Sequence, residues 1–139
     1  ELHLGDGRLE LAKQEPQGFD VLVIDAFTGD AIPAHLLTKE AVELYLSHLK
    51  PEGVLAINIS NRHADLARVV LAHAERLNLR AGIKRYGASS PLGVYTSVWA
   101  ALARSRDPLL RAGFKSRRLT RGEAVHWRDD YAPILPILE

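Results

Sequence analysis

The sequence predicts an α/β fold, with a mostly parallel sheet flanked by helices. Three observations carry that expectation. Two apolar runs, Val21-Leu22-Val23-Ile24 and Val54-Leu55-Ala56-Ile57, have the continuous character of strands covered on both faces. Amphipathic stretches of helical period follow them, and glycine- and proline-containing turns separate the segments. Strands that alternate with helices are most simply joined as parallel neighbours.

Residues 2–4 read as a short strand that runs into Gly5-Asp6-Gly7. A short helical stretch follows over 8–14, broken by Pro16-Gln17-Gly18. Residues 19–25, Phe19-Asp20-Val21-Leu22-Val23-Ile24-Asp25, read as a buried strand, and 25–33 as a loop holding Gly29 and Pro33. A helix is expected over 38–49 with Thr38 as its N-cap, stopped by Lys50-Pro51-Glu52-Gly53. The next strand covers 54–59 and ends at Ser60-Asn61. A second amphipathic helix is expected over 65–77, with Leu66, Val69, Val70 and Leu77 inward. Strands follow at 81–86 and 95–104, around a loop with Ser89, Ser90 and Pro91. The α/β body thus spans 1–105, and 106–139 reads as a basic, irregular tail of the same domain, whose end from Trp127 to Pro136 could dock on a partner surface.

Composition narrows the function. The 139 residues suffice for one domain, and 47% hydrophobic with 25% charged residues is an ordinary globular balance. A net charge of +1 gives no electrostatic case for nucleic acid or an anionic membrane. Arginines do gather late, at 104, 106, 111, 117, 118 and 121, and read as a solvated cationic surface. The absence of cysteine removes disulfides, thiolate nucleophiles and cysteine-ligated zinc, in keeping with a cytoplasmic setting. No apolar run approaches the roughly 20 residues that span a bilayer. There is no methionine, and the first residues already read as a strand, so a piece of a longer chain is expected.

In an open parallel sheet, ligands bind beyond the carboxyl ends of the strands. Three polar clusters fall at such ends: Gly5-Asp6-Gly7, the segment from Asp25 to Asp30, and Ser60-Asn61. Gly5 and Gly7 let backbone approach a flat ligand, and Asp6 can accept a hydrogen bond from an exocyclic amine. The same three residues also suit a turn that caps the next helix. Asp25, ending an apolar strand, is expected to be partly desolvated, where it can hold a cationic amine or take its proton. Asp30 would supply a second carboxylate, which suits a di- or polyamine; the plainer alternative is a loop cap at Asp25 and a solvated Asp30. The six histidines show no metal spacing and read as scattered surface residues. Ser89-Ser90 has neither a nearby base nor a nucleophile-elbow pattern. Trp127 and Tyr131 flank Asp129-Asp130 and read as aromatic faces docked on the body, with part of an interface as the alternative.

Gly5-Asp6-Gly7, the strand ending at Asp25, Pro33-Ala34 and Lys50-Pro51-Glu52-Gly53-Val54-Leu55 together resemble the spermidine synthases, the polyamine aminopropyltransferases. The stretch from Asp25 to Thr38, and the ending Trp127-Arg128-Asp129-Asp130-Tyr131, are similar to a bacterial branch fused behind transporter-like membrane helices. The resemblance implies a partial Rossmann-like, class I methyltransferase-like fold that lacks its first strands, with the glycine-rich turn and the ribose-binding acid upstream of Glu1. It implies an aminopropyl donor, decarboxylated S-adenosylmethionine, whose adenine would meet Asp6 between Gly5 and Gly7, and no metal. Asp25 would match the family's catalytic aspartate, and Asp30 would be an amine contact. The loop departs from the family: Ala26-Phe27-Thr28-Gly29-Asp30 stands where a Ser-Ser/Thr-Asp/Glu-Pro type sequence is usual. A methyltransferase using S-adenosylmethionine and a non-catalytic nucleoside-binding domain of a membrane protein stay open beside the transferase. With the first strands absent, residues 2–4 are expected to fray or pair elsewhere. The apolar edge beside Val21 to Ile24 is expected to favour a homo-oligomer.

Overall fold

A computed structural model of the chain describes residues 2–26, 34–87, 96–120 and 122–138. Among them five strands form one open sheet: β1 (Phe19–Ile24), β2 (Leu49–Asn58), β3 (Arg80–Tyr86), β4 (Ser97–Ala103) and β5 (Lys115–Ser116), in the order β1-β2-β4-β3-β5. Four helices accompany it: α1 (Gly7–Ala12), α2 (Lys39–Ser47), α3 (Ala67–Arg76) and α4 (Asp107–Arg111). β1 and β2 are parallel, with Val21 to Ile24 facing Val54 to Ile57 in step. β4 enters between β2 and β3 antiparallel to both, so β1, β2 and β3 share one direction and their carboxyl ends lie at one edge.

The buried side of the sheet follows strand alternation. Leu55 and Ile57 of β2, Ala100 and Leu102 of β4 and Ile83 of β3 point to one face. There they meet Val42 and Tyr45 of α2 and Val69, Val70 and Leu71 of α3 in a single buried cluster. The opposite face is covered only in part. Leu109 of α4 packs on Ala101 and Ala103, with Val54 and Phe114 beside them. Over β1 that face is bare: Val21 and Val23 are 56% and 53% exposed. The expectation of a strand covered on both sides therefore fails for β1. Phe19, Leu22 and Ile24 find the core, and β1 is also the edge of the sheet among the described residues.

Residues 2–4 form no strand. Leu2 and Leu4 are 83% and 86% exposed. β2 begins earlier than expected, running through Lys50-Pro51-Glu52-Gly53. The register shows why those residues read as a turn: Phe19 faces Leu49 and Val21 faces Val54, so a bulge of β2 separates the two pairings. A Cβ on Gly53 would stand 2.9 Å from the Phe19 carbonyl oxygen, so the bulge needs a glycine there.

The carboxy-terminal segment is not a tail that waits for a partner. Beyond α4 and β5 it holds a 3-10 turn, Leu135–Ile137. Trp127 and Ile137 are fully buried in the same cluster as Leu55. The Trp127 indole donates to the Pro133 carbonyl at 2.8 Å, and its own carbonyl accepts from Lys39 N–H at 2.9 Å, the first turn of α2. Ile137 accepts from Asp65 N–H at 2.8 Å, and Arg68 donates to the Glu123 and Pro136 carbonyls. The apolar residues interleaved with the arginines are what the core uses.

Two of the six histidines are interior, contrary to the surface reading. His48 is 1% exposed and stacks on Phe19; His73 is fully buried, one ring nitrogen 2.9 Å from the Leu37 carbonyl. Burial pushes the His73 imidazole down to about 4, because the charged form is poorly solvated there. Each lies on a helix or at its end, at a position whose period faces the sheet, a signal that outweighs histidine's usual surface preference.

Candidate functional site

Asp6 sits at the amino end of α1 and caps it, its Oδ1 accepting from Leu9 N–H at 3.0 Å. Gly5 adopts φ +148°, and a Cβ there would approach Glu10 Oε1 to 2.9 Å, so that position needs glycine. Gly7 is different: a Cβ on it would meet nothing within 4 Å, so its backbone faces open space. The other oxygen of Asp6 lies 2.7 Å from His35 Nε2. The cap bond to Leu9, then the His35 contact, hold the Asp6 carboxyl below the usual carboxylate range.

His35 belongs to the 3-10 turn Ala34–Leu36. The chain therefore departs from the carboxyl end of β1 and returns against the Gly5-Asp6-Gly7 turn. Arg8 holds this return in place. Its guanidinium donates to the His35 carbonyl at 2.7 Å and forks onto both oxygens of Asp129 at 2.8 and 2.7 Å. Thr38, the N-cap of α2, donates its hydroxyl to Asp129 at 2.7 Å while accepting from Ala41 N–H. The Arg8 fork, and after it the Thr38 hydroxyl, push the Asp129 carboxyl down to about 2. Tyr45, buried beneath, donates to the Leu36 carbonyl at 3.2 Å. Asp129 is thus a strut between the carboxy-terminal segment and the candidate site. Sequence reasoning had placed it only between two docking aromatics.

Asp25 follows the last residue of β1 and is exposed, not partly desolvated as expected, like Val21 and Val23 on the same face of β1. Its Oδ1 accepts from Asn58 Nδ2 at 2.8 Å. Asn58 ends β2, and its own Oδ1 accepts from Ser60 N–H at 2.9 Å, which turns the amide N–H₂ toward Asp25. Among the described residues no partner occupies the second Asp25 oxygen. Ser60 accepts from Val98 N–H at 2.9 Å and so ties this edge to β4. Sequence reasoning stopped at Ser60-Asn61 and missed Asn58; its signal was an amide as the last residue of an apolar strand parallel to the one that ends at Asp25. Asp30, Ser89 and Ser90 lie outside the described residues. Among the described residues no cluster of three or more His, Asp or Glu side chains could hold a metal ion, and no helix is long and apolar enough to cross a membrane.

The parts can do two things. A carboxylate fixed by an amide donor, with one oxygen open, can receive a proton or hold an ammonium group. A glycine-flanked acid at a helix start, with open space at Gly7, can accept a flat ligand carrying an N–H donor.

No family model matches the chain. A polyamine aminopropyltransferase of Vibrio vulnificus (strain CMCP6) is 36% identical over 59 residues, 41% of this chain and 20% of that protein. A probable spermidine synthase from Corynebacterium glutamicum, known by its crystal structure, superposes with a TM-score of 0.54 and 25% identity, over 73% of this chain and 37% of that one. MNMC2 from Aquifex aeolicus superposes with a TM-score of 0.52 over 78% of this chain and 33% of its own, at 18% identity, a likeness of fold alone. The chain matches about a fifth of the curated relative's length and about a third of each solved structure.

Proposed function

For a chain that is spermidine synthase-like in sequence and fold, we propose that the whole protein moves an aminopropyl group from decarboxylated S-adenosylmethionine to an amine. The observation that carries the reading is the Asp25 carboxylate, held by Asn58 at the carboxyl ends of two parallel strands, its second oxygen without a partner among the described residues. The amine nitrogen attacks the carbon bonded to the sulfonium sulfur, the C–S bond breaks, and methylthioadenosine leaves. Asp25 takes the proton that the amine must lose. The sulfonium is already an activated leaving group, so positioning and proton removal suffice and the step requires no metal. Asn58 is a positioning residue that orients the base. Asp6 accepts from the adenine amino group, sharing its outer oxygen with His35 or displacing it, and Gly5 and Gly7 bring backbone close to the ring. Asp30 contributes a second counter-charge for the amine. The setting is cytoplasmic, as a domain behind upstream membrane segments. By itself the chain is inactive and self-associates along the free edge of β1.

Methyl transfer from S-adenosylmethionine uses the same fold. The residues Ala26-Phe27-Thr28-Gly29-Asp30, which depart from the family's usual loop, favour a nucleoside-binding domain without turnover as the second reading. Calorimetric titration of methylthioadenosine into the whole protein tests the nucleoside site. Asp6→Asn keeps a capping acceptor but removes the carboxylate. Binding weakened at least tenfold in that variant supports the site; equal binding, or none to the unaltered protein, overturns it.

A further inference from the structure

Three of the late arginines border one cavity together with Arg80. Arg80, Arg106, Arg117 and Arg118 line a cavity of about 570 Å³ between the carboxyl end of α3, α4 and the β3–β5 edge. The cavity lies far from Asp25 in the fold. Arg80 opens β3 and Arg106 follows β4, at the opposite end of the strands from Asp25 and Asn58. β5 is the opposite edge of the sheet from β1.

Its chemistry is mixed. The lining includes four arginines and one acidic residue, Glu75. Arg117 reaches Asp65 only at 3.7 Å, and no ion pair engages Arg80, Arg106 or Arg118 among the described residues. Leu109 and Phe114 belong to its apolar part, with Leu71 and Leu79. Phe114 lies close over β3, where a Cβ on Gly82 would stand 2.8 Å from its own Cβ, and Lys84 Nζ is 5.9 Å from the ring. Guanidinium forks fit the oxygens of phosphate and carboxylate in pairs, and are the usual choice where a phosphate is read. A cavity of several hundred Å³ with an apolar wall and a few convergent charges is the size that takes a small organic ligand. An amine would be repelled from these walls.

We propose that this cavity binds a small phosphate ester with an apolar or aromatic body, its phosphate on the arginines and its body against Phe114 and Leu109. The ligand and the polyamine chemistry thus occupy opposite ends of the sheet, and both sites can be filled at once.

The probe is 1-naphthyl phosphate, titrated calorimetrically into the full chain, with inorganic phosphate and 1-naphthol as half-ligands. It carries no adenine, so its failure would leave the nucleoside site untouched. The expected result is binding of naphthyl phosphate at least tenfold tighter than either half-ligand and weakened by added salt. The pair Arg106→Ala with Arg118→Ala should weaken it at least tenfold. Arg111→Ala, an exposed arginine of α4 outside the cavity, should leave it unchanged. Circular dichroism of the double variant should match the unaltered chain, since both side chains are exposed. The proposal is overturned by no binding at millimolar probe, by naphthol or inorganic phosphate binding as tightly as the ester, or by a folded double variant that binds as well as the unaltered chain.

Discussion

Replacing Arg8 by leucine should loosen the candidate site from a point that touches none of its reacting groups. Arg8 is 16% exposed and makes two charged bonds to Asp129, which is 49% exposed, and one to the His35 carbonyl. Charged hydrogen bonds contribute about 1.5–3 kcal/mol where buried, and exposed ion pairs about 1 or less. With one partner half in water, the fork is worth about 1 kcal/mol, and leaving the His35 carbonyl without its donor costs about 1 more. Arg8→Leu should therefore lower stability by about 2 kcal/mol, a shift of about 1 M in the urea midpoint. A double-mutant cycle with Asp129→Asn isolates the pair, and a coupling of about 1 kcal/mol is expected. A coupling below about 0.3 kcal/mol would refute the reasoning that Asp129 braces the return from β1 onto α1.

Acid should destabilise the fold through His73. Its folded value, about 4, lies below the unfolded value of about 6.5, so the unfolded chain binds the extra proton first. The contribution is intact above about pH 6.5, and about 3 kcal/mol is lost as pH falls to about 4. Urea titrations across that range should show the slope in the unaltered chain and a flatter one in His73→Leu; equal slopes would contradict it. Gly7→Ala should stabilise α1 by up to about 1 kcal/mol, since its Cβ enters open space. The same change should weaken methylthioadenosine binding in the whole protein, and unchanged calorimetric affinity would remove Gly7 from the site. Val23→Lys places a charge on the bare face of β1, and sedimentation should show less self-association than in the unaltered chain. A monomer at all concentrations in the unaltered chain would contradict the edge-pairing reading.

The α/β pattern was legible because strand and helix periods are local properties. Val54 to Ile57 and the helix from Ala67 announce themselves in any context. The covered or bare state of β1 was not legible, since apolar strands look alike whether or not anything lies on them; among the described residues no helix crosses the face of Val21 and Val23. The acidic turn at Asp6 and the carboxylate at Asp25 stood out as polar residues at strand ends. What the sequence could not supply was partnership across distance: Asn58 with Asp25, His35 with Asp6, and Arg8 with Asp129, 121 positions away. The arginine cluster was visible as composition. Its cavity depends on how α3, α4 and β5 meet, which is a tertiary fact.

The most direct test of the transferase reading is the sulfur product released by the whole protein. It would be incubated with decarboxylated S-adenosylmethionine and a panel of diamines, in parallel with S-adenosylmethionine. The expected product is methylthioadenosine, with its rate lowered about 100-fold or more in Asp25→Asn while nucleoside binding is retained. Adenosylhomocysteine as the product, or methylthioadenosine released equally fast by Asp25→Asn, would contradict the assignment of Asp25 as the base for aminopropyl transfer.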